Sequence, residues 1–188
     1  MKLFRRSADG LAARVAAGDA AAMKSLYDSQ VRYLTAVCLR YIPDEDEAKD
    51  ILQESFIKIF SSIGSFRGGD EALRAWMRKI VVNEALMHLR RRSREPVLLG
   101  NDALPLDVPD EDPDPEGIPP DVLQQMIMRL PEGYRTIFNL YVFERRSHKE
   151  IARMLGIKEN TSTSQYHRAK GLMASMIKDY RDAQRLER

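Results

Sequence analysis

An all-α chain of two small helical domains, joined by an extended acidic, proline-rich linker, is the architecture this sequence predicts. Three observations carry it. Apolar residues recur at helical spacing on either side of residues 96–120, and no run shows the alternation of a strand. Residues 96–120 hold seven of the nine prolines and seven acidic residues, with no Lys or Arg and few large apolar side chains, as an extended connector would. Ser147, followed three residues later by Glu150, makes a capping box that opens a helix, and Gly156 offers the permissive backbone that closes it. The expected bounds are 1–95 for the first domain, 96–120 for the linker and 121–188 for the second domain.

In the first domain, helices are expected over 10–17, 20–41, 44–62 and 70–92, punctuated by Gly and Pro. The third opens with Asp44, Glu45, Asp46 and Glu47, which suit the positive end of a helix dipole. Its buried stripe is Ala48, Ile51, Leu52, Phe56, Ile59 and Ile63. Asp50, Gln53, Glu54 and Ile57 then form an exposed patch with an apolar edge, which fits either a docking site for a partner helix or a solvated acidic face. The loop over 65–70 has paired glycines and Phe66, and either folds around an unstacked base or merely connects two helices. In the helix over 70–92, Leu73, Trp76, Met77, Ile80 and Met87 supply the packed side. Lys79, Asn83 and Arg90 line the other side, suited to a nucleic-acid backbone and a base edge. Arg90, Arg91 and Arg92 extend that stripe, although cations at a helix C-terminus also compensate its dipole.

In the second domain, helices are expected over 121–130, 132–143, 147–155 and 161–180. The last two have the plan of a helix-turn-helix, with Ile157 at the angle and Asn160, Thr161 and Ser162 as candidate N-caps. At 100° per residue, Ser162, Tyr166, Ala169, Met173, Met176 and Ile177 share one face of the final helix. Thr163, Ser164, His167 and Arg168 share the other, where short hydroxyls permit close approach to a DNA groove and a guanidinium can contact guanine or phosphate. Lys149 and Lys170 flank that face as phosphate contacts. A small helical hairpin whose polar face meets only water is the alternative.

The charge is unevenly placed. Residues 1–95 carry +4, residues 96–120 carry −7 and residues 121–188 carry +5, so a net charge of +2 hides two basic blocks joined by an acidic strap. The linker is read either as a solvated spacer or as an acidic chain able to occupy a positive channel. Cys38 stands alone, which excludes an internal disulfide, suits a reducing compartment and gives it a core-packing role. The opening KLFRR is followed by no apolar run long enough for a signal peptide or a membrane span, so a soluble, cytoplasmic protein is expected. The three histidines are scattered, and the chain has no Gly-rich phosphate loop and no paired carboxylates near a nucleophile, which argues against an enzyme. Glu84 and His88, four apart, read as an ordinary helix pair rather than half of a metal site. No cofactor, metal or small-molecule substrate is expected.

Taken in order, these segments resemble the extracytoplasmic-function (ECF) branch of the sigma-70 family. DILQESFIKIF resembles its region 2.2 and WMRKIVVNEALMHLRRR its region 2.4. The segment from LPEGYRTIFNLYVF through KEIARMLGI to HRAK resembles region 4. Ser162, Thr163 and Gln165 stand where many relatives have Val and basic residues, which leaves the minus-35 preference open. The resemblance implies a factor without covalent chemistry that guides core RNA polymerase to promoters and helps open the DNA. It implies core-polymerase contacts, on the clamp of the largest subunit and on the flap, with Asp50, Gln53, Glu54 and Ile57 at the centre. It assigns the minus-10 element to Phe66, Arg67, Lys79, Asn83, Arg90 and Arg91. The minus-35 element falls to Lys149, Thr163, Ser164, His167, Arg168 and Lys170, and an anti-sigma factor is an expected partner. A helix-turn-helix regulator that ignores polymerase, and an interaction protein working through helix faces, are the competing readings.

Overall fold

The computed structural model describes residues 7–92 and 114–186; of the expected linker, residues 96–113 lie outside them. The described residues are helical, apart from turns, and fall into two compact units, Met1–His88 and Leu89–Arg188.

The first unit contains α1 (Ser7–Ala16), α2 (Ala20–Leu39), α3 (Glu45–Ser62), a short 3-10 turn at Ile63–Ser65, and most of α4 (Asp70–Arg92). Asp19 caps α2 by accepting from the Ala22 N–H at 3.0 Å, and Asp44 caps α3 by accepting from the Asp46 and Glu47 N–H groups. Helix α3 buries Ala48, Ile51, Leu52, Phe56 and Ile59, and Ile63 follows them into the core. The expected packed side of α4 needs correction. Its buried line runs through Leu73, Met77, Val81, Ala85 and Leu89, while Trp76, Ile80 and Met87 are only half-buried. The true stripe repeats every four residues, so its axis lies to one side of the expected face.

The second unit contains α5 (Pro120–Arg129), α6 (Glu132–Val142), α7 (His148–Leu155) and α8 (Glu159–Leu186). Its core joins Ile118, Ile127, Leu130, Tyr134, Phe138 and Met173. The last residues of the expected linker therefore pack with this unit: Ile118 is in the core, and Arg181 binds the Asp114 carboxylate at 2.9 Å and the Glu116 carbonyl at 2.9 Å. Helix α6 is enclosed from Gly133 to Leu140, and buried Arg135 donates to the Met128 and Leu130 carbonyls where α5 ends. The capping box of α7 is formed by Ser147 and Glu150. Gly156 closes that helix in the left-handed region at φ 69°, a conformation that favours glycine. Helix α8 starts at Glu159, two residues before the expected position, so Asn160, Thr161 and Ser162 lie inside it and none of them caps it.

Cys38 is fully buried, and desolvation pushes its thiol up to about 12. Alkylation at neutral pH should therefore be negligible in the folded protein and become stoichiometric in denaturant, as measured by mass spectrometry. Rapid labelling of the native chain would contradict this packing.

Candidate nucleic-acid and partner interfaces

The first candidate surface is the outer face of α3. Asp50, Gln53, Glu54 and Ile57 all point to solvent, with Ile57 62 % exposed, because the opposite stripe is locked in the core. The structure adds an element that the sequence reading missed. An apolar groove of about 720 Å³ runs between α2 and α3, with Val31, Leu52 and Phe56 in its lining and Gln53 and Ile57 beside them. Tyr27, itself 43 % exposed, packs on Phe56 with ring centroids 4.6 Å apart. The available signal was the four-residue spacing of Tyr27, Val31, Thr35 and Leu39, a second stripe beside the core stripe of α2.

The second surface spans the loop after the 3-10 turn and one side of α4. Lys79, Asn83 and Arg90 are exposed and lie within about 40° of one another around the helix. Arg91 is exposed in the last turn, about 100° further round from Arg90. Phe66 packs against Trp76 at 5.5 Å, which makes Trp76 an aromatic neighbour of the cationic line rather than a core residue. Arg67 is drawn onto its own loop, donating from Nη1 to the Gly64 and Phe66 carbonyls at 2.8 Å each. Phe66 and Arg67 also line a cavity of about 390 Å³ against Ala12, Ala13 and Ala16 of α1. Gly68 makes this loop possible: at φ 150°, a Cβ there would lie 2.9 Å from the Ala72 Cβ and 3.1 Å from the Phe66 ring.

The third surface is the helix-turn-helix. Ser164 and His167 are exposed at the centre of the outer face of α8, and Lys149 is exposed on α7. Thr163 and Lys170 are half-buried along one edge of that face, with Arg168 half-buried along the other. Arg168 Nη1 donates to the Tyr134 hydroxyl at 3.3 Å, so the guanidinium leans toward α6 rather than straight outward. Ser162 is fully buried, and its Oγ lies 3.0 Å from His148 Nδ1, joining α8 to the start of α7. The His148 ring stacks on Tyr141 at 4.7 Å and lies 5.6 Å from Tyr166. Burial lowers the His148 pKa; the nearby His167 lowers it further and Glu159 opposes the shift. Neither His148 nor the Ser162 linkage was singled out from the sequence, because their meeting depends on how the two helices cross.

Elsewhere in the first unit, Glu84 and His88 each have a partner on α3. Lys58 Nζ lies 2.5 Å from Glu84, and His88 Nε2 lies 3.2 Å from Glu47.

Comparison with known proteins matches residues 26–95 to the family model "Sigma-70 region 2" and residues 121–173 to "Sigma-70, region 4". The chain is 34% identical over 183 residues to the ECF RNA polymerase sigma factor SigE of Mycolicibacterium smegmatis, covering 91% of this chain and 67% of that relative. The chain belongs to the ECF sigma factors of the sigma-70 family. It is also 32% identical over 174 residues to the RNA polymerase sigma-H factor of Pseudomonas aeruginosa, covering 85% of this chain and 88% of that relative. A solved structure of the sigma factor RpoE with the anti-sigma factor NepR from Bartonella quintana aligns at TM-score 0.48 and 22% identity, covering 82% of this chain and 96% of that one. The function of this sigma factor is promoter-specific initiation of transcription by RNA polymerase. The region 2 match contains the first two surfaces of the sigma factor, and the region 4 match contains the third.

A histidine held below its ordinary pKa favours folding in its neutral form. Stability of the region 4 unit should therefore be full above about pH 6.5, the unfolded histidine value, and fall as the pH drops through the lower folded value. Replacing His148 with Phe keeps a stacking ring and removes the titration, so the difference in thermal midpoint between pH 7.5 and pH 5.5 should shrink. An unchanged difference would show that His148 does not report on this packing.

Proposed function

We propose that the three surfaces divide the work of initiation between a protein partner and two promoter elements. Residues 1–95 engage core polymerase and the minus-10 element, and residues 121–188, with the end of the linker packed on them, read the minus-35 element. Asp50, Gln53, Glu54 and Ile57 dock on the clamp of the largest subunit. Phe66, Arg67, Lys79, Asn83, Arg90 and Arg91 hold the melted minus-10 strand. Thr163, Ser164, His167 and Arg168 read duplex DNA, with Lys149 and Lys170 on flanking phosphates, while the second unit also contacts the flap. One observation carries this reading: within the first unit, the acidic and cationic faces lie on different helices, each turned outward by its own buried stripe, so protein and nucleic acid can be held together.

The factor acts by binding and positioning, with no covalent step of its own, in the cytoplasm where polymerase and promoters meet. An anti-sigma factor covering the α3 face or the outer face of α8 would hold it inactive. Arg168 must leave the Tyr134 hydroxyl to reach a base edge or phosphate, and that hydrogen bond is long, at 3.3 Å.

Glu54→Lys should weaken binding to core polymerase about tenfold or more, near 1.4 kcal/mol, without changing the thermal midpoint. Affinity equal to the parent at moderate salt would remove the α3 face from the interface. Two substitutions test DNA reading in the assembled holoenzyme. Asn83→Ala should change the preference among minus-10 variants, and Arg168→Ala should cost about 1–3 kcal/mol at one minus-35 position. A uniform loss across all promoter variants would reduce either residue to a backbone contact.

A further inference from the structure

Two side-chain ties join α3 to α4, and neither belongs to the surfaces described above. Glu84 is a carboxylate 93 % withdrawn from solvent, at 7 % exposure, with Lys58 Nζ at 2.5 Å. Glu47 and His88 form the second tie at 3.2 Å. A buried carboxylate is costly to leave without a cation, and an ion pair is a poor way to gain stability when apolar packing is available. What a buried carboxylate tied to one cation does well is forbid neighbouring arrangements. A movement of α4 that parted Glu84 from Lys58 while keeping it inside would leave the buried carboxylate without its cation.

The place of each partner gives that restraint a function. Glu84 follows Asn83 directly, so fixing Glu84 inward fixes Asn83 about 100° round the helix, facing outward. Lys58 follows Ile57 directly and lies one turn beyond Glu54 on the helix that carries the acidic face. We infer that Lys58 and Glu84 are positioning residues for minus-10 recognition, holding the azimuth of α4, and with it Asn83 and Lys79, against the helix that docks on polymerase. The Glu47–His88 contact supports the same setting farther along both helices. This inference rests on the assignment of Asn83 to the minus-10 strand.

The test separates positioning from simple stability. Lys58→Met alone leaves the Glu84 carboxylate buried without a cation and can unfold the unit, so the decisive variant is Lys58→Met with Glu84→Met. It removes both charges and leaves two apolar side chains of comparable reach, an exchange that proteins commonly tolerate. Each holoenzyme is assayed for core affinity by titration, for promoter opening by permanganate footprinting, and for preference across a panel of minus-10 sequences. The expected result is a folded double variant with core affinity within about twofold of the parent. Its promoter opening should fall at least tenfold and its minus-10 preference should flatten. The exchanged pair Lys58→Glu with Glu84→Lys should recover part of the opening, because the tie is restored with its charges reversed. Parent-like opening and preference in the double-Met variant would overturn the inference, as would equal loss of core binding and opening. Asn83→Ala is run in parallel: if it leaves minus-10 preference unchanged, the underlying site assignment fails. If Asn83→Ala alters preference and the double-Met variant does not, the positioning role alone fails.

Discussion

Burial of one stripe on each helix is the constraint from which every outward-facing side chain takes its direction. Removing a Leu, Ile or Phe from water contributes about 1.5–3 kcal/mol, whereas an exposed ion pair contributes about 0–1 kcal/mol. The apolar side therefore decides the rotation, and the polar side follows. On α3, Ile51, Phe56 and Ile59 are held inside, and Asp50, Glu54 and Ile57 must face outward. On α4, the line from Leu73 through Met77 and Val81 to Ala85 gives Lys79 and Asn83 their common side.

In the second unit the same constraint acts through one enclosed helix. Helix α6 is surrounded from Gly133 to Leu140, so its polar groups serve the interior. Arg135 satisfies carbonyls at the end of α5, and the Tyr134 hydroxyl receives Arg168 from α8. Where α7 meets α8, a stacked histidine and a buried serine hydroxyl bridge the helices. These polar contacts specify one crossing where apolar packing alone tolerates several.

A sigma factor binds core RNA polymerase and promoter DNA, so its work depends on the faces it presents. Short amphipathic helices meet that need. Helices α3, α4 and α8 each offer one side to a core and one to solvent, and Gly156 closes α7 in the tight turn before α8. The glycine-dependent loop around Phe66 places its ring against Trp76 of α4.

Helix order, the capping box, the Gly156 turn and the faces of α3 were all legible in the sequence, because they depend on contacts within one helix or on residues a few positions apart. The motif order was equally legible, and with it the family resemblance that the comparisons bear out. What the sequence misplaced lay between elements. Trp76 was assigned to the core, yet it pairs with Phe66 across the loop; Ser162 was a candidate cap, yet it is buried against His148. Periodicity defines an apolar side only to within a residue or so, and a partner distant in sequence decides which edge of that side is covered. By itself, then, the sequence determined which segments are helical and which residue types each helix can present. Only the tertiary structure decided that Lys58 meets Glu84, that Arg168 leans on Tyr134 and that an apolar groove opens beside Ile57, because each depends on two helices meeting at one angle.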